Sequence, residues 1–473
     1  MPTSNSQQPT ADCQQPANDQ QPTANVKKAV ERRFLLPFVL VTSLFALWGL
    51  ANNMTDTLLA AFRKIMQMSD TQTSFIQMAF YGAYFCLALP AALFIRKYSY
   101  KSGVVLGLAM YAGGALLFWP AAKVESYAFY LIAIYILAAG CSVLETTANP
   151  YIMSMGSPET ATRRLNIAQS FNPIGSILGI LVSKYFILQD ISLYSVSGTY
   201  AGVGVLLLAI MLVMLFAKMP TSNSQRPTAN GQQTIANNQQ LTANGQLPIA
   251  ANGQQPIANS LKRLVRNKRY AYGVIAQFFY VGAQIGVWSF TIRLVMKELD
   301  YVEAQAATLY MISIIGFCTS RFVYTWLMKY IAPQRLLAMG AVLSSVCSLL
   351  VVLRSGWVAV IALVLISVFM SLMFPTIYGI ALGSLTKADK TNVAEGDIKI
   401  GASGLIMAIL GGALLTPLQG MVSDAAGSIN TSYLVPLVCF LVVLAYALFT
   451  ANGQQPTAYA LFANSQRPTA NSQ

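Results

Sequence analysis

Twelve stretches of about 20 or more residues, each dominated by apolar side chains, limit what this chain can fold into. They run approximately over 34–62, 72–95, 102–122, 126–149, 162–188, 197–218, 269–296, 305–328, 336–354, 357–385, 400–422 and 431–450. Soluble domains do not carry such runs in series, whereas membrane spans require them. In lipid every backbone N–H and C=O must be satisfied internally, and runs of this length do so as helices. The sequence therefore predicts an all-α membrane protein with twelve transmembrane helices. Only 10% of the residues are charged and the mean hydropathy is +0.54, against roughly 25% charged residues in soluble domains.

The formal charge of +14 follows from topology. With the N-terminus in the cytoplasm, 22 of the 30 Lys and Arg fall in the loops and tails of that side, while acids divide evenly. That is the bias of a positive-inside protein, and nucleic-acid binding is not needed to explain it. Both termini and the central loop are then cytoplasmic, and the expected location is a bacterial cytoplasmic (inner) membrane. The chain has no histidine, which excludes His-based relays, His metal ligands and Ser-His triads. Its six cysteines show no metal-ligand or disulfide spacing, and no phosphate-binding loop of the GxxxxGK[ST] type occurs. Neither a cofactor nor an enzymatic activity is expected, and any proton chemistry must use carboxylates.

Polar repeats of the Gln-Gln-Pro-Thr-Ala-Asn kind open the chain, return after Met219 and close it from Asn452. They lack the apolar residues of a core and are expected to be disordered. The organisation that follows is a tail over 1–33, a six-helix bundle over 34–218, a low-complexity and basic loop over 219–268, a second six-helix bundle over 269–450 and a tail over 451–473. The halves resemble weak parallel repeats. Each has a short basic turn after its second span, Arg96 to Lys101 and Lys329 to Arg335, and a proline in its fourth, Pro150 and Pro375.

Polar side chains inside the spans carry the functional information. Trp48, Asn52 and Asp56 are spaced i, i+4, i+8 on one helical face, with Asn53 on the same side. Cys141, Glu145 and Asn149 share a face of the fourth span in the same way. Asp56 and Glu145 are the two carboxylates at membrane depth, and such acids mark proton or substrate paths; the alternative is a buried structural acid joining two helices. A carboxyl group shielded from water takes up a proton and releases it on hydration, so the pair could couple protons to a neutral polar solute. The fifth span adds Asn166, Gln169 and Asn172; the seventh adds Gln277, Gln284 and Trp288 on one face. Amides suit sugar hydroxyls because each offers donors and an acceptor, although interhelical hydrogen bonding also uses them. Trp288 and Trp48 could stack on a pyranose or anchor at an interface. Arg321, inside the eighth span, reads as a packing or gating residue.

Four stretches resemble a known family: Ala51 to Asp56, Leu144 to Tyr151, Arg164 to Asn172, and Phe374-Pro375-Thr376. They look like the L-fucose:proton symporters of the major facilitator superfamily, and the resemblance covers all twelve spans. It implies two six-helix bundles that rock about a midplane site, with Asp56 and Glu145 as proton-cycling and sugar-binding acids. The family's binding amides would fall on Asn53 and Gln169. Glucose/galactose and N-acetylglucosamine porters tend to have Gln where this chain has Glu145, which favours the fucose branch. Phe374 departs from the family, where Tyr is frequent, and removes one possible sugar contact. The partners implied are a small-molecule sugar, protons and the lipid bilayer, with a monomer as the expected state. A glucose/galactose-type porter, a drug exporter of the same fold and a transport-dead sugar sensor remain as alternatives.

Overall fold

The computed structural model describes residues 29–30, 34–65, 70–187, 192–217, 257–387 and 395–451. The three repeat segments, with the disorder expected of them, lie outside the described residues, as do the side chains of Asn52 and Asp56. Eleven helical stretches are long and apolar enough to cross a membrane, and the first helix adds the shorter apolar stretch Leu35–Ala51. No strand occurs among the described residues.

The first four spans are α1 (Leu35–Ile65), α2 (Asp70–Lys97), α3 with α4 (Tyr100–Leu116, Phe118–Val124) and α5 (Tyr127–Ser154). The fifth is α6 with α7 (Ala161–Gln169, Asn172–Val182), and the sixth is α8 (Leu193–Phe216). After the central loop comes a short helix, α9 (Ile257–Arg266), followed by α10 (Lys268–Leu299), α11 (Glu303–Leu327) and α12 (Pro333–Leu353). The last three spans are α13 with α14 (Trp357–Met370, Met373–Lys387), α15 with α16 (Glu395–Met407, Leu410–Ala426), and α17 with α18 (Ile429–Ser432, Leu434–Ala451). Local signals set several starts. Ser99 and Ser192 accept from the backbone N–H three residues on, at 3.1 Å each. Asn267 accepts from the N–H groups of Arg269 and Tyr270, which separates α9 from α10. Each is a polar side chain satisfying the orphan donors of a first turn.

Two features were not legible as stretches of hydropathy. The fifth span, read as continuous over 162–188, breaks at Ser170 and Phe171, where Pro173 removes a backbone donor in the first turn of α7. The eleventh also breaks, between α15 and α16, with no proline at the start of α16, and spans three and ten are each divided into two helices as well. The second feature is α9, a helix inside the segment read as basic loop.

The broken spans show what holds each bundle together. Lipid tails are as apolar as Leu, so helices in membranes associate through close packing of small residues. A Cβ on Gly175 of α7 would stand 1.7 Å from the carbonyl oxygen of Ala46 on α1. A Cβ on Gly411 of α16 would stand 1.9 Å from the carbonyl oxygen of Phe278 on α10. Spans one and five, and seven and eleven, thus touch backbone to backbone at equivalent places. This is firmer support for a repeat than the prolines of spans four and ten.

In the first half α2 and α3 pack on α5, and α8 packs on α3; in the second, α12 packs on α13 and α18, and α10 on α14, α16 and α18. Between the halves, α15 lies against α2 and α5, and α14 against α6. The turn from α5 to α6 is held by Arg164, which is fully buried. Its guanidinium donates to the carbonyls of Ile152 (2.8 Å), Met153 and Ala29 (3.0 Å) and to the Thr160 hydroxyl (2.9 Å). The planar fork of an arginine suits such a set of carbonyls.

Candidate functional site

A cavity of about 330 Å³ lies between the two halves, near the lower end of the roughly 300–1,000 Å³ typical of ligand sites. The first half lines it with Trp48 and Asn53 of α1, Tyr81 and Tyr84 of α2, and Asn172 and Ser176 of α7. The second contributes Gln284 and Trp288 of α10, Tyr310 and Phe317 of α11, and Phe374 of α14. These positions fall near the middle of α2 and of α11 and in the second half of α10. The cavity therefore lies away from the basic end, where α2 finishes at Arg96 and Lys97 and α10 starts at Lys268.

Aromatic rings and amides alternate around this space, and their neighbours fix their orientation. The Trp48 indole N–H donates to the Tyr84 hydroxyl, tying α1 to α2. The Trp288 indole N–H donates to Ser367 at 3.3 Å, and its ring meets Phe317 edge-on at 5.1 Å. Phe374 lies 6.5 Å from Trp48 across the boundary between the halves. Asn53 donates to the Gly49 carbonyl at 3.2 Å, and Asn172 donates to that of Phe45 at the same distance. Both side chains belong to the lining of a cavity with walls suited to the apolar face of a ring and polar groups suited to its hydroxyls.

Beneath the cavity, toward the basic end, lies a second tier of polar residues that is sealed. Glu145 is 3% exposed, and neither of its oxygens has a hydrogen-bond partner. It stands within electrostatic reach of Tyr84, which lines the cavity, and of Tyr378 on α14. Gln169 donates to the Asn149 side chain at 2.8 Å, joining spans five and four. Asn166 exchanges hydrogen bonds with Thr376 of the other half, both at 3.4 Å. Arg321, also buried, donates to the Ser371 carbonyl (2.7 Å) and, across the boundary, to the Gln169 carbonyl (2.9 Å), with its guanidinium over the Phe317 ring. Gln277 is fully buried, and neither polar atom of its side chain has a partner.

The sequence-derived candidates thus separate into tiers. Asn53, Gln284, Trp288 and Phe374 line the cavity. Glu145, Asn149, Asn166, Gln169 and Gln277 lie outside its lining in this conformation. Asp56 is on α1, one turn beyond Asn53, and its side chain lies outside the described residues. Sequence reasoning missed Tyr81, Tyr84, Tyr310, Phe317, Ser176 and Ser289. The chain has 23 tyrosines, and nothing in their spacing separates these three from the rest.

A chamber of aromatic and amide side chains between two bundles of membrane-spanning helices, sealed at one end by hydrogen bonds between the bundles, is the arrangement of a membrane transporter. The model of the Major Facilitator Superfamily matches residues 35–394, and the chain belongs to that family. It is 39% identical over 451 residues to the L-fucose-proton symporter of Haemophilus influenzae, covering 89% of this chain and 97% of that one. The crystal structure of an Escherichia coli fucose:proton symporter superposes with a TM-score of 0.74 at 33% identity, over 90% of this chain and all of that one. A glucose/galactose transporter of Brucella abortus is more distant, at 30% identity over 86% of this chain and 92% of its own length.

Proposed function

We propose that the protein is a secondary active transporter that imports L-fucose, or a closely related hexose, together with protons. The observation that carries this reading is the pairing of an amide- and Trp-lined cavity with a sealed carboxylate directly beneath it, in a chain closely similar to L-fucose-proton symporters. Asn53, Gln284 and Asn172 would orient hydroxyls while Trp48, Trp288 and Phe374 cover the apolar face of the sugar. Asp56 and Glu145 would cycle protons. Sugar in the cavity would release the bonds from Arg321 to the Gln169 carbonyl and between Asn166 and Thr376. The bundles would then rock, opening the sealed end and bringing Glu145, Asn149 and Gln169 toward water. The protein would work as a monomer in the inner membrane, with the basic end, both termini and the central loop in the cytoplasm and the repeat segments as linkers. The second substrate to consider is a galactose-type hexose. Phe374 adds no hydroxyl to the cavity, and the likeness to glucose/galactose transporters extends over most of the chain.

The test is vesicles of purified protein, with L-fucose, galactose or glucose added to a weakly buffered medium. L-Fucose is expected to make the external medium more alkaline as protons enter with it. Entry of labelled L-fucose without a pH change would remove the proton coupling. A pH change with galactose or glucose but not L-fucose would move the substrate to the second reading.

A further inference from the structure

Helix α9 has a face that nothing among the described residues covers, and its chemistry is that of a bilayer surface. Ten residues give it a length of about 15 Å. Ser260 and Leu264 are buried where it packs on α15 and α10. Arg263 fixes its roll: Nε and Nη2 donate to the two oxygens of Asp397 on α15 at 2.9 and 2.8 Å. Asp397 is itself buried and also lies within electrostatic reach of Arg96 at the end of α2. With that edge held inward, Ile257, Leu261 and Val265, spaced i, i+4, i+8, form the next edge, and all three are exposed, Val265 to 72%. Lys262 and Arg266 form the edge beyond it and are exposed too. No acid occurs from Ile257 to Tyr270, while five bases do: Lys262, Arg263, Arg266, Lys268 and Arg269. An apolar edge beside a wholly basic one, on a short helix at the mouth of a membrane span, is the pattern of an interfacial helix.

We propose that α9 lies in the membrane surface, with Ile257, Leu261 and Val265 among acyl chains and Lys262 and Arg266 on the headgroups of anionic phospholipids. The occupant is lipid because the uncovered face combines both chemistries. An apolar stripe alone would suit another helix, but the excess of positive charge attracts an anionic leaflet. The stretch 219–256 of the same chain, which precedes α9, carries Lys or Arg only at Arg226 and no acid. It therefore has no negative charge to offer the basic edge. The pair between Arg263 and Asp397 links this lipid contact to α15, which closes the basic end against α2.

The experiment replaces Val265 with a benzophenone-bearing amino acid in the full chain and reconstitutes it in mixed phosphatidylcholine and phosphatidylglycerol vesicles. After illumination, adducts are identified by mass. The expected product is a phospholipid adduct in which phosphatidylglycerol exceeds its share of the membrane. The same probe at Val205, exposed on α8, should capture lipid without that preference. Lys262→Glu combined with Arg266→Glu should keep the lipid adduct at position 265 and lose the enrichment. An adduct to a peptide of residues 219–256, or to a second copy of the chain, would overturn the proposal. So would lipid capture at position 265 with no more phosphatidylglycerol than at position 205.

Discussion

Both oxygens of Glu145 are buried without a donor, and the side chain sits one layer below a cavity lined by the Tyr84 ring. An ionised carboxylate in that position would lose its hydration with only the nearby Asn149 amide to offset it, a net cost of several kcal/mol. The uncharged acid fits the enclosure, and release of its proton requires the site to be opened to water. Glu145→Gln keeps the shape and the neutrality of this form and removes only the proton. Under the transport reading, the variant should exchange labelled L-fucose across vesicles at close to the parental rate. It should fail to accumulate L-fucose when driven by a pH gradient. Accumulation at the parental level would make Glu145 a structural acid. Gln169, Asn149 and Asn166 are bonded to other spans here, whereas Asn53, which donates to its own helix, and Gln284 line the cavity. The first three serve the closed end, and the last two face the space a solute would enter.

At the scale of elements, the chain joins helices through absent side chains. α1 and α7 approach so closely at Gly175 that an added methyl would overlap the Ala46 carbonyl. α8 carries Gly202, where an added methyl would meet nothing within 4 Å. Gly175→Ala must separate two backbones that cannot yield, and overpacking of this kind costs about 1–3 kcal/mol or more. Gly202→Ala adds helix propensity worth up to about 1 kcal/mol with no clash. Thermal unfolding in detergent should therefore give a clearly lowered Tm for the first variant and an unchanged or raised Tm for the second. Equal shifts would show that the Gly175 contact is not what fixes α7 on α1.

For the whole molecule, the arrangement is one with its basic end shut. A Cβ on Gly379 of α14 would lie 3.0 Å from the Cβ of Thr162 on α6, close to the 3.5–4.5 Å or so of a disulfide. Thr162→Cys with Gly379→Cys should cross-link the two halves at this end. Oxidation should stop L-fucose uptake while leaving binding to the cavity measurable, and reduction should restore uptake. Undiminished uptake by the fully oxidised pair would be incompatible with rocking of the bundles.

The linear chain determined that this is a membrane protein of twelve spans, because apolar length is a local property that lipid reads directly. It also determined which spans carry polar residues, since amides and acids are conspicuous against such a background. Asp56, Glu145 and the amides of spans five and seven stood out for that reason. Their division into an accessible tier and a sealed one belongs to the tertiary structure. It depends on which half closes over them, and helical spacing gives the face a residue occupies without the depth of the cavity beside it. The aromatic walls at Tyr84, Tyr310 and Phe317 were hidden for the complementary reason: an aromatic in an apolar run looks the same whether it faces lipid, a neighbouring helix or a sugar. The breaks after Gln169 and Met407, and the amphipathic turns of α9, were likewise settled only by packing. A proline as at Pro173, a glycine pair as at Gly411 and Gly412, or a basic cluster permits such a feature, and a neighbouring backbone or a buried Asp397 fixes it.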